Sequence, residues 1–159
     1  MPGHHRAPTR RPVRTLLAAV AGPAAIAAAW IPSAGAAVER PPVPPCSVTA
    51  DACVSLSGGA AWLMSDGAVT RGPVPITHGA PGHETPVGTF TVQWKDVDHV
   101  SSEVPGAQMP YSVFFDLEGR AFHGGSLETD SVGCIHLGPG DDQAFFGALE
   151  PGDEVQIRA

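Results

Sequence analysis

Short apolar segments separated by glycine- and proline-containing turns form the pattern after residue 50. The segment "CVSLS" at 53–57 alternates apolar and polar residues, which is typical of a strand with one buried face. The segments "AAWLM" at 60–64 and "AVTRGPVPI" at 68–76 flank "SDG", a sequence typical of a hairpin turn. The pattern therefore predicts a strand followed by a β-hairpin.

Further strand signals continue to the end of the chain. "GTFTVQWK" at 88–95 is rich in β-branched and aromatic residues, which favour strands. "YSVFFD" at 111–116 and "RAFHGG" at 120–125 flank "LEG", a second hairpin signal. "EVQIRA" at 154–159 follows the turn sequence "EPGD" and is expected to be the last strand.

One segment, "DDQAFFGALE" at 141–150, has the pattern of a helix. Asp141 and Asp142 fall in its first turn, where acidic side chains interact favourably with the helix dipole. Many short strands followed by one short C-terminal helix predict a mainly β domain, sandwich-like or barrel-like in architecture.

The first 36 residues have a different composition. "MPGHHRAPTRRPVR" carries four arginines and no acidic residue, and an alanine-rich apolar run follows it. Small residues then stand at Ala34 and Ala36, so residues 1–36 are predicted to be a secretory signal peptide cleaved after Ala36. The alternative is an uncleaved membrane anchor, but Gly22 and Pro23 interrupt a run already shorter than the ~20 residues that a span needs.

The remaining chain divides into a linker and one domain. Residues 37–51 contain "RPPVPP" and are predicted to be a proline-rich, extended linker. Residues 52–159 are predicted to be a single domain, because a mature chain of about 120 residues is ample for one domain and short for two. We expect no membrane span once the signal peptide is removed.

The charge of the mature chain excludes one class of function. It keeps all 16 acidic residues but only five of the nine basic ones, which gives a formal charge of −11. A nucleic-acid-binding protein needs a basic surface to neutralise phosphates, so nucleic acid is not an expected partner.

The chain has three cysteines, Cys46, Cys53 and Cys134. Disulfides persist outside the cytoplasm, and an odd number leaves one thiol over. Cys46 and Cys53 bracket the short segment "CSVTADAC" and are predicted to form a local disulfide, which leaves Cys134 free. The alternative, in which Cys134 pairs with one of the other two, stays open at this point.

The stretch "AFHGGSLETDSVGCIHL" at 121–137 combines groups that suit nucleophilic catalysis. We expect a strand that ends at His123 and another that begins at Cys134 to bring the two side chains face to face. A nearby imidazole can take the proton of a thiol, and glycine-rich backbone can present N–H groups to an oxyanion. No His-x-His or Cys-x-x-Cys spacing appears, so no metal site is predicted.

Three ordered motifs resemble one enzyme family. "FHGG…SVGCIHL" resembles the signature of the L,D-transpeptidases, whose catalytic domain is of the YkuD type. "ETPVGTFTV" at 84–92 resembles the family's Thr-Pro-x-Gly-x-Phe strand, and "MPYSVFF" at 109–115 resembles its Met-Pro-Tyr segment, which lines the cleft. The resemblance covers about residues 54–157 and implies an L,D-transpeptidase fold for the domain at 52–159.

The resemblance implies a role for each matching residue. Cys134 matches the nucleophile that forms an acyl-enzyme thioester, and His123 matches the general base and acid. The Gly124 carbonyl takes the place that orients the imidazole. The backbone N–H groups of Gly133 and Cys134 would form the oxyanion hole. Ser131 matches the first residue of the second motif, where it would hold the loop and contact substrate.

Two positions depart from the family pattern. Val132 stands where the family usually has histidine, which is expected to lower activity or change substrate preference. His136 stands where arginine or asparagine is usual, and it would donate a hydrogen bond to a substrate carbonyl or carboxylate. Met109 and Tyr111 lie in the segment that resembles the cleft lining, and for Tyr111 a place in the core is equally compatible with the sequence.

The resemblance implies chemistry on peptidoglycan without a metal or organic cofactor. Such enzymes cleave a tetrapeptide stem after the L-centre of diaminopimelate, release D-alanine and pass the acyl group to an amine of a second stem, forming a 3→3 cross-link. Carbapenem-type β-lactams are expected to acylate the same thiol. An L,D-carboxypeptidase and a wall-associated module that has lost turnover are the alternatives. In each case the protein is expected to be secreted and associated with the cell wall.

Overall fold

The structure is a computed structural model that describes residues 42–159. The predicted signal peptide at 1–36 and the first five residues of the predicted linker lie outside the described residues. Within those residues the chain forms nine strands and one helix: β1 Ala52–Ser55, β2 Ala60–Ser65, β3 Ala68–Thr77, β4 Gly88–Thr91, β5 Trp94–Val100, β6 Gln108–Phe114, β7 Ala121–Gly124, β8 Ile135–Leu137, α1 Asp141–Ala148 and β9 Glu154–Arg158.

The nine strands form one curled sheet in the order β4-β9-β1-β2-β3-β8-β7-β6-β5. The ten-residue strand β3 joins its two halves, because it pairs with β2 along most of its length and with β8 through Ile76 and Thr77. The expected mainly β fold is confirmed, and a single curled sheet replaces the two stacked sheets of a sandwich.

Two strand pairs are parallel and the others are antiparallel. β1 lies parallel to β9, and β7 lies parallel to β8. Parallel neighbours need a crossover between them, and the ten-residue segment 125–134 returns the chain from the end of β7 to the start of β8. The two strands that flank Gly124–Gly125 and Gly133 are therefore not a hairpin, and residues of this crossover loop line the cavity beside Cys134.

The main hydrophobic core lies between the sheet and helix α1. Alternate residues of the central strands point into it, because successive side chains of a strand face opposite sides of the sheet. The helix contributes Phe145, and Leu149 follows directly after it. The largest fully buried side chains of this cluster are those of Phe115, Phe122, Phe145, Ile135, Leu137, Leu149 and Ile157.

The helix and the first hairpin lie where the sequence predicts them. The helix covers Asp141–Ala148, two residues shorter than the predicted segment, with Asp141 and Asp142 in its first turn. The turn between β2 and β3 contains Asp66 and Gly67, both with positive φ. The turn residues Asp and Gly tolerate this left-handed backbone better than other residues do.

The predicted single strand at 88–95 is wrong. It divides at Val92 and Gln93 into β4, which pairs with β9, and β5, which pairs with β6, at the two opposite edges of the sheet. The Val92 N–H donates to the Asp153 carbonyl, whereas the Gln93 N–H donates to the Phe114 carbonyl. Long-range pairing, which strand propensity does not encode, therefore decides where one strand ends and the next begins.

Cys46 and Cys53 form a disulfide, and Cys134 is a free thiol. The alternative pairing through Cys134 is therefore absent. The disulfide connects the segment before β1 to a residue that is fully buried beside Trp62 and Met64. It fixes the entry of the chain into the sheet.

Removing the Cys46–Cys53 disulfide should lower the free energy of unfolding by about 2.5 kcal/mol, because a cross-link across seven positions restricts the unfolded chain. Urea unfolding of a Cys134→Ala variant with and without reductant measures this change. A Cys46→Ala/Cys53→Ala/Cys134→Ala variant is the control and should not respond to reductant. Equal stability of the oxidised and reduced protein would contradict a stabilising role.

Candidate active site

The register between β7 and β8 sorts their side chains onto two faces. Phe122 lies opposite Ile135, and both side chains are completely buried in the core. His123 lies opposite His136, on the other face of the sheet. The two imidazole rings meet there with centroids 4.8 Å apart and planes at 70°.

Cys134 shares the face of the two histidines because it precedes His136 by two residues. Extending the parallel register by one position places Cys134 opposite Ala121, so His123 lies diagonally across from the thiol. The thiol is partly buried against Met109, Phe114 and Ala121. The predicted meeting of His123 and Cys134 thus arises from parallel strands and not from facing strand ends.

His123, Cys134 and His136 line one cavity of about 310 Å³. One of its walls is the segment 101–109, which connects β5 to β6 and continues into β6. The crossover loop 125–134 supplies another part of the lining. The thiol of Cys134 thus lies in a cavity to which two loops contribute.

The environment of His123 keeps its ring neutral. Its Nδ1 lies 3.0 Å from the Gly124 carbonyl, an acceptor, so Nδ1 carries the proton and Nε2 is left with a lone pair. The pKa of His123 is lowered to about 4, chiefly by burial and to a smaller extent by the neighbouring His136 and His99, while the Gly124 hydrogen bond opposes the shift. His123 can therefore accept a proton at neutral pH.

The thiol is also neutral at rest. Burial raises the pKa of Cys134, and the carboxylates of Glu103 and Asp116 add to the rise. A backbone hydrogen bond from Ala121 and the charge of Arg120 oppose it. A neutral thiol beside a neutral imidazole suits general-base catalysis, in which the proton leaves sulfur as the sulfur attacks.

The hydroxyl of Ser131 holds the loop that carries the thiol. It donates to the Cys134 carbonyl at 2.5 Å and accepts from the Gly133 N–H at 3.1 Å, and the side chain is buried. Ser131 also lines the cavity, with its hydroxyl engaged within the loop. The Gly133 N–H is bonded to that hydroxyl, so of the two backbone donors expected for an oxyanion the Cys134 N–H is the one without a protein acceptor among residues 42–159.

Thr85 is a residue of the site that the sequence analysis did not single out. Its buried hydroxyl accepts from the Gly79 N–H and donates to the Gly133 carbonyl, both at 2.9 Å. The motif "ETPVG" contains it, but the residue pattern of this motif indicates only part of a strand. The hydroxyl's partner is 48 positions away in sequence, and local patterns give no signal for such a contact.

Arg120 supports the same loop from another side. Gly133 has a φ of +105°, a conformation that favours glycine, and a Cβ at this position would lie 3.2 Å from the Arg120 Nε. The guanidinium forms ion pairs with Asp116 at 2.8 Å and with Glu118 at 2.7 Å. A side chain at position 133 would therefore be strained and would disturb these pairs.

His136 presents an acceptor and not a donor when it is neutral. Its Nδ1 lies 3.0 Å from the Ser126 carbonyl and 3.1 Å from the Thr77 hydroxyl. A carbonyl only accepts, so Nδ1 carries the proton and Nε2 has none. The expected hydrogen bond from His136 to a substrate carbonyl or carboxylate therefore requires the ring to be protonated.

The segment expected to line the cleft does so only in part. Met109 is buried and forms part of the cavity wall. Tyr111 lies outside the cavity, with its ring 5.8 Å from that of Phe146 in α1. Its φ of +55° interrupts the alternation of β6, which explains how Met109 and Phe114 both contact the cluster around the thiol.

Val132, which stands in place of the family's usual histidine, forms part of the cavity wall and is 37% exposed.

Among residues 42–159, no group of three or more histidine, cysteine or acidic side chains is placed to hold a metal ion. In the same part of the chain, the helix is too short to cross a membrane.

Comparison with known proteins identifies the family. The model of the YkuD L,D-transpeptidase catalytic domain matches residues 50–157, and the chain therefore belongs to this family. The expected resemblance is confirmed. No curated protein gives a significant match.

Solved L,D-transpeptidases share the fold of this chain. An L,D-transpeptidase from Stackebrandtia nassauensis is 26% identical with a TM-score of 0.64, covering 68% of this chain and 54% of its own. An L,D-transpeptidase from Mycobacterium tuberculosis H37Rv is 25% identical with a TM-score of 0.62, and the match covers 67% of this chain and 56% of that protein. L,D-transpeptidase 3 of Mycobacterium tuberculosis, solved with a faropenem-derived adduct, is 23% identical with a TM-score of 0.61, and the match covers 67% of this chain and 58% of that protein. The chain spans a little over half the length of these proteins.

Alkylation of Cys134 by iodoacetamide should be slow at neutral pH and should rise through about pH 7–10 without a plateau. The reagent consumes thiolate, and the raised pKa of the buried thiol means that thiolate forms only as pH rises through that pKa. The measurement is the rate at which adduct mass appears as a function of pH. In a His123→Gln control the profile should change little, because a neutral ring supplies no charge. A plateau between pH 5 and 8 that is lost in His123→Gln would instead indicate a thiolate–imidazolium pair.

Proposed function

We propose that this protein is a secreted L,D-transpeptidase that acts on peptidoglycan tetrapeptide stems through a Cys134 acyl-enzyme and forms 3→3 cross-links. The observation that carries the proposal is the free Cys134 thiol on the same face as a neutral His123, in a cavity of an L,D-transpeptidase domain. Neither residue is consumed by a disulfide or an ion pair in the described part of the chain.

In the first half-reaction, the Cys134 sulfur attacks the carbonyl that follows the L-centre of the third stem residue. His123 takes the thiol proton at Nε2, and the Gly124 carbonyl stabilises the resulting imidazolium through its bond to Nδ1. The negative charge that forms on the substrate oxygen is stabilised by the Cys134 N–H. The carbon–nitrogen bond then breaks, His123 protonates the leaving amine of D-alanine, and a thioester remains.

In the second half-reaction, a side-chain amine of another stem attacks the thioester carbonyl. His123 takes a proton from this amine, the new amide bond forms, and the sulfur leaves and recovers a proton. Water in place of the amine gives a free carboxylate, which is the L,D-carboxypeptidase alternative. Both reactions use the same residues, so the proportion of transfer and hydrolysis depends on which nucleophile reaches the cavity.

Carbapenem-type β-lactams are the proposed inhibitors. Opening of the β-lactam amide by the Cys134 thiol uses the same base and the same oxyanion donor as the first half-reaction. The structure of L,D-transpeptidase 3 with a faropenem-derived adduct gives a precedent for a β-lactam-type adduct in a protein of similar fold.

A wall-associated module without turnover is the second candidate function. The observation in its favour is Val132, an apolar side chain where the family usually has histidine, directly in the cavity wall. Against it, Cys134 is a free thiol, and His123 has the Gly124 acceptor at Nδ1 that a neutral imidazole base would use.

Incubation with imipenem should add one drug mass to the mature protein, and incubation with a tetrapeptide stem should yield the tripeptide acyl group on Cys134. Cys134→Ala should give no adduct, and His123→Gln should form it about 10²–10⁴-fold more slowly, since the general base is lost. Intact-mass spectrometry measures both. With a stem carrying a free side-chain amine, a dimer linked through two third residues marks transpeptidation. A folded wild-type protein that reacts with neither compound would contradict the enzymatic proposal and favour the inactive module.

Secretion is the proposed localisation, and the predicted signal peptide and the Cys46–Cys53 disulfide support it, because disulfides persist in oxidising compartments. Expression in a secreting host should release a protein whose N-terminus is Ala37, which N-terminal sequencing can establish. Replacing the apolar run at 15–31 by a polar sequence should keep the protein in the cell. An intact N-terminus on a membrane-bound protein would instead indicate an uncleaved anchor.

A further inference from the structure

Thr85 connects two segments that meet beneath the Cys134 loop. Its hydroxyl is a buried bridge that accepts from the Gly79 N–H and donates to the Gly133 carbonyl. The approach is close, because a Cβ on Gly79 would lie only 2.6 Å from the Thr85 nitrogen. The Thr85 hydroxyl therefore forms its two hydrogen bonds in a buried, tightly packed region and not at the protein surface.

The Gly133 carbonyl and the Cys134 N–H belong to the same peptide group. The cis peptide bond of the described chain is Gly72-Pro73, so the bond between Gly133 and Cys134 is trans. In a planar trans peptide, C=O and N–H point in opposite directions. Fixing the carbonyl on Thr85 therefore fixes the direction of the Cys134 N–H, on the side away from Thr85.

The Cys134 N–H has no protein acceptor within residues 42–159, whereas the neighbouring Gly133 N–H is bonded to Ser131. An unpaired N–H on the residue that carries the thiol is suited to an oxyanion that forms next to the sulfur. A hydrogen bond to the carbonyl of the same peptide group also polarises that group and strengthens its N–H as a donor.

We propose that Thr85 is a positioning residue for acyl transfer: its hydroxyl, by holding the Gly133 carbonyl, aims and polarises the Cys134 N–H that stabilises the oxyanion. The inference rests on the proposed function, since it assigns this N–H to the transition state of that reaction. Thr85 does not touch the substrate, and it acts through the peptide group between Gly133 and Cys134.

The test compares reactions of the same thiol that do and do not form an oxyanion. With p-nitrophenyl acetate or imipenem, sulfur bonds to a carbonyl carbon through an oxyanion, and p-nitrophenolate or the opened ring nitrogen leaves. With iodoacetamide, sulfur bonds to a saturated carbon and iodide leaves, so no oxyanion forms. A residue that only stabilises the fold would affect these reactions equally.

Thr85→Val, which keeps the shape and removes the hydroxyl, should slow acylation by both acyl donors by about 10–100-fold. Alkylation by iodoacetamide at pH 9 should stay within about twofold of the wild type, and Thr85→Ser should restore acylation by keeping the hydroxyl. Rates are normalised to the titrated Cys134 thiol of folded protein. Thr49→Val is the matched control, because it removes a threonine hydroxyl bonded to Glu154 away from the thiol, and it should leave both rates unchanged.

An equal loss of acylation and alkylation in Thr85→Val, or unchanged acylation, would overturn the inference. If Thr85→Val does not fold, Thr85→Ala, which also removes the hydroxyl, takes its place with the same expected contrast between acylation and alkylation. Failure of the proposed function has a different signature. The wild type would then react with p-nitrophenyl acetate but not with imipenem or the stem peptide. Acylation by p-nitrophenyl acetate would still show whether Thr85→Val slows acylation more than alkylation.

Discussion

Parallel pairing between β7 and β8 is the constraint on which the rest of the site depends. Its register directs Phe122 and Ile135 into the core and, by the alternation of strand side chains, His123 and His136 onto the opposite face with Cys134. A shift of one residue would exchange the two sets and bury imidazoles against phenylalanines. The hydrophobic core therefore stabilises the register that brings the thiol and its base together, and stability and chemistry depend on the same two short strands.

Burial then sets the protonation states. Desolvation lowers the pKa of His123 and raises that of Cys134, so both groups are neutral until they react. Two uncharged partners suit a half-buried cavity, because an ion pair there would lose its hydration. The Gly124 carbonyl completes the arrangement, since it selects the tautomer with a free Nε2 and, in the proposed reaction, would stabilise the imidazolium.

The loop that carries the thiol is held almost entirely by contacts to its backbone. Ser131 bonds to the Gly133 N–H and the Cys134 carbonyl, Thr85 bonds to the Gly133 carbonyl, and Arg120 packs against the glycine itself. The side chain of Val132 takes no part in these bonds and instead lines the cavity, as does that of His136. The contacts that hold the thiol loop are thus separate from the two cavity-wall side chains that depart from the expected family pattern.

The sequence by itself determined the mainly β class, the hairpin turn at Asp66 and Gly67, the helix from Asp141 and the family, and it singled out Cys134 and His123 as the candidate nucleophile and base. These features depend on local periodicity, turn chemistry and short motifs, which act between residues close in the chain. Only the tertiary structure decided that 88–95 divides between two sheet edges, that Tyr111 packs on Phe146 outside the cavity, that the Gly133 N–H is occupied, and that Thr85 holds the thiol's own peptide group. Each of these depends on hydrogen bonds or packing between residues that are far apart in the sequence. The sequence contains both partners of each contact, but local patterns do not specify which residues come together when the chain folds.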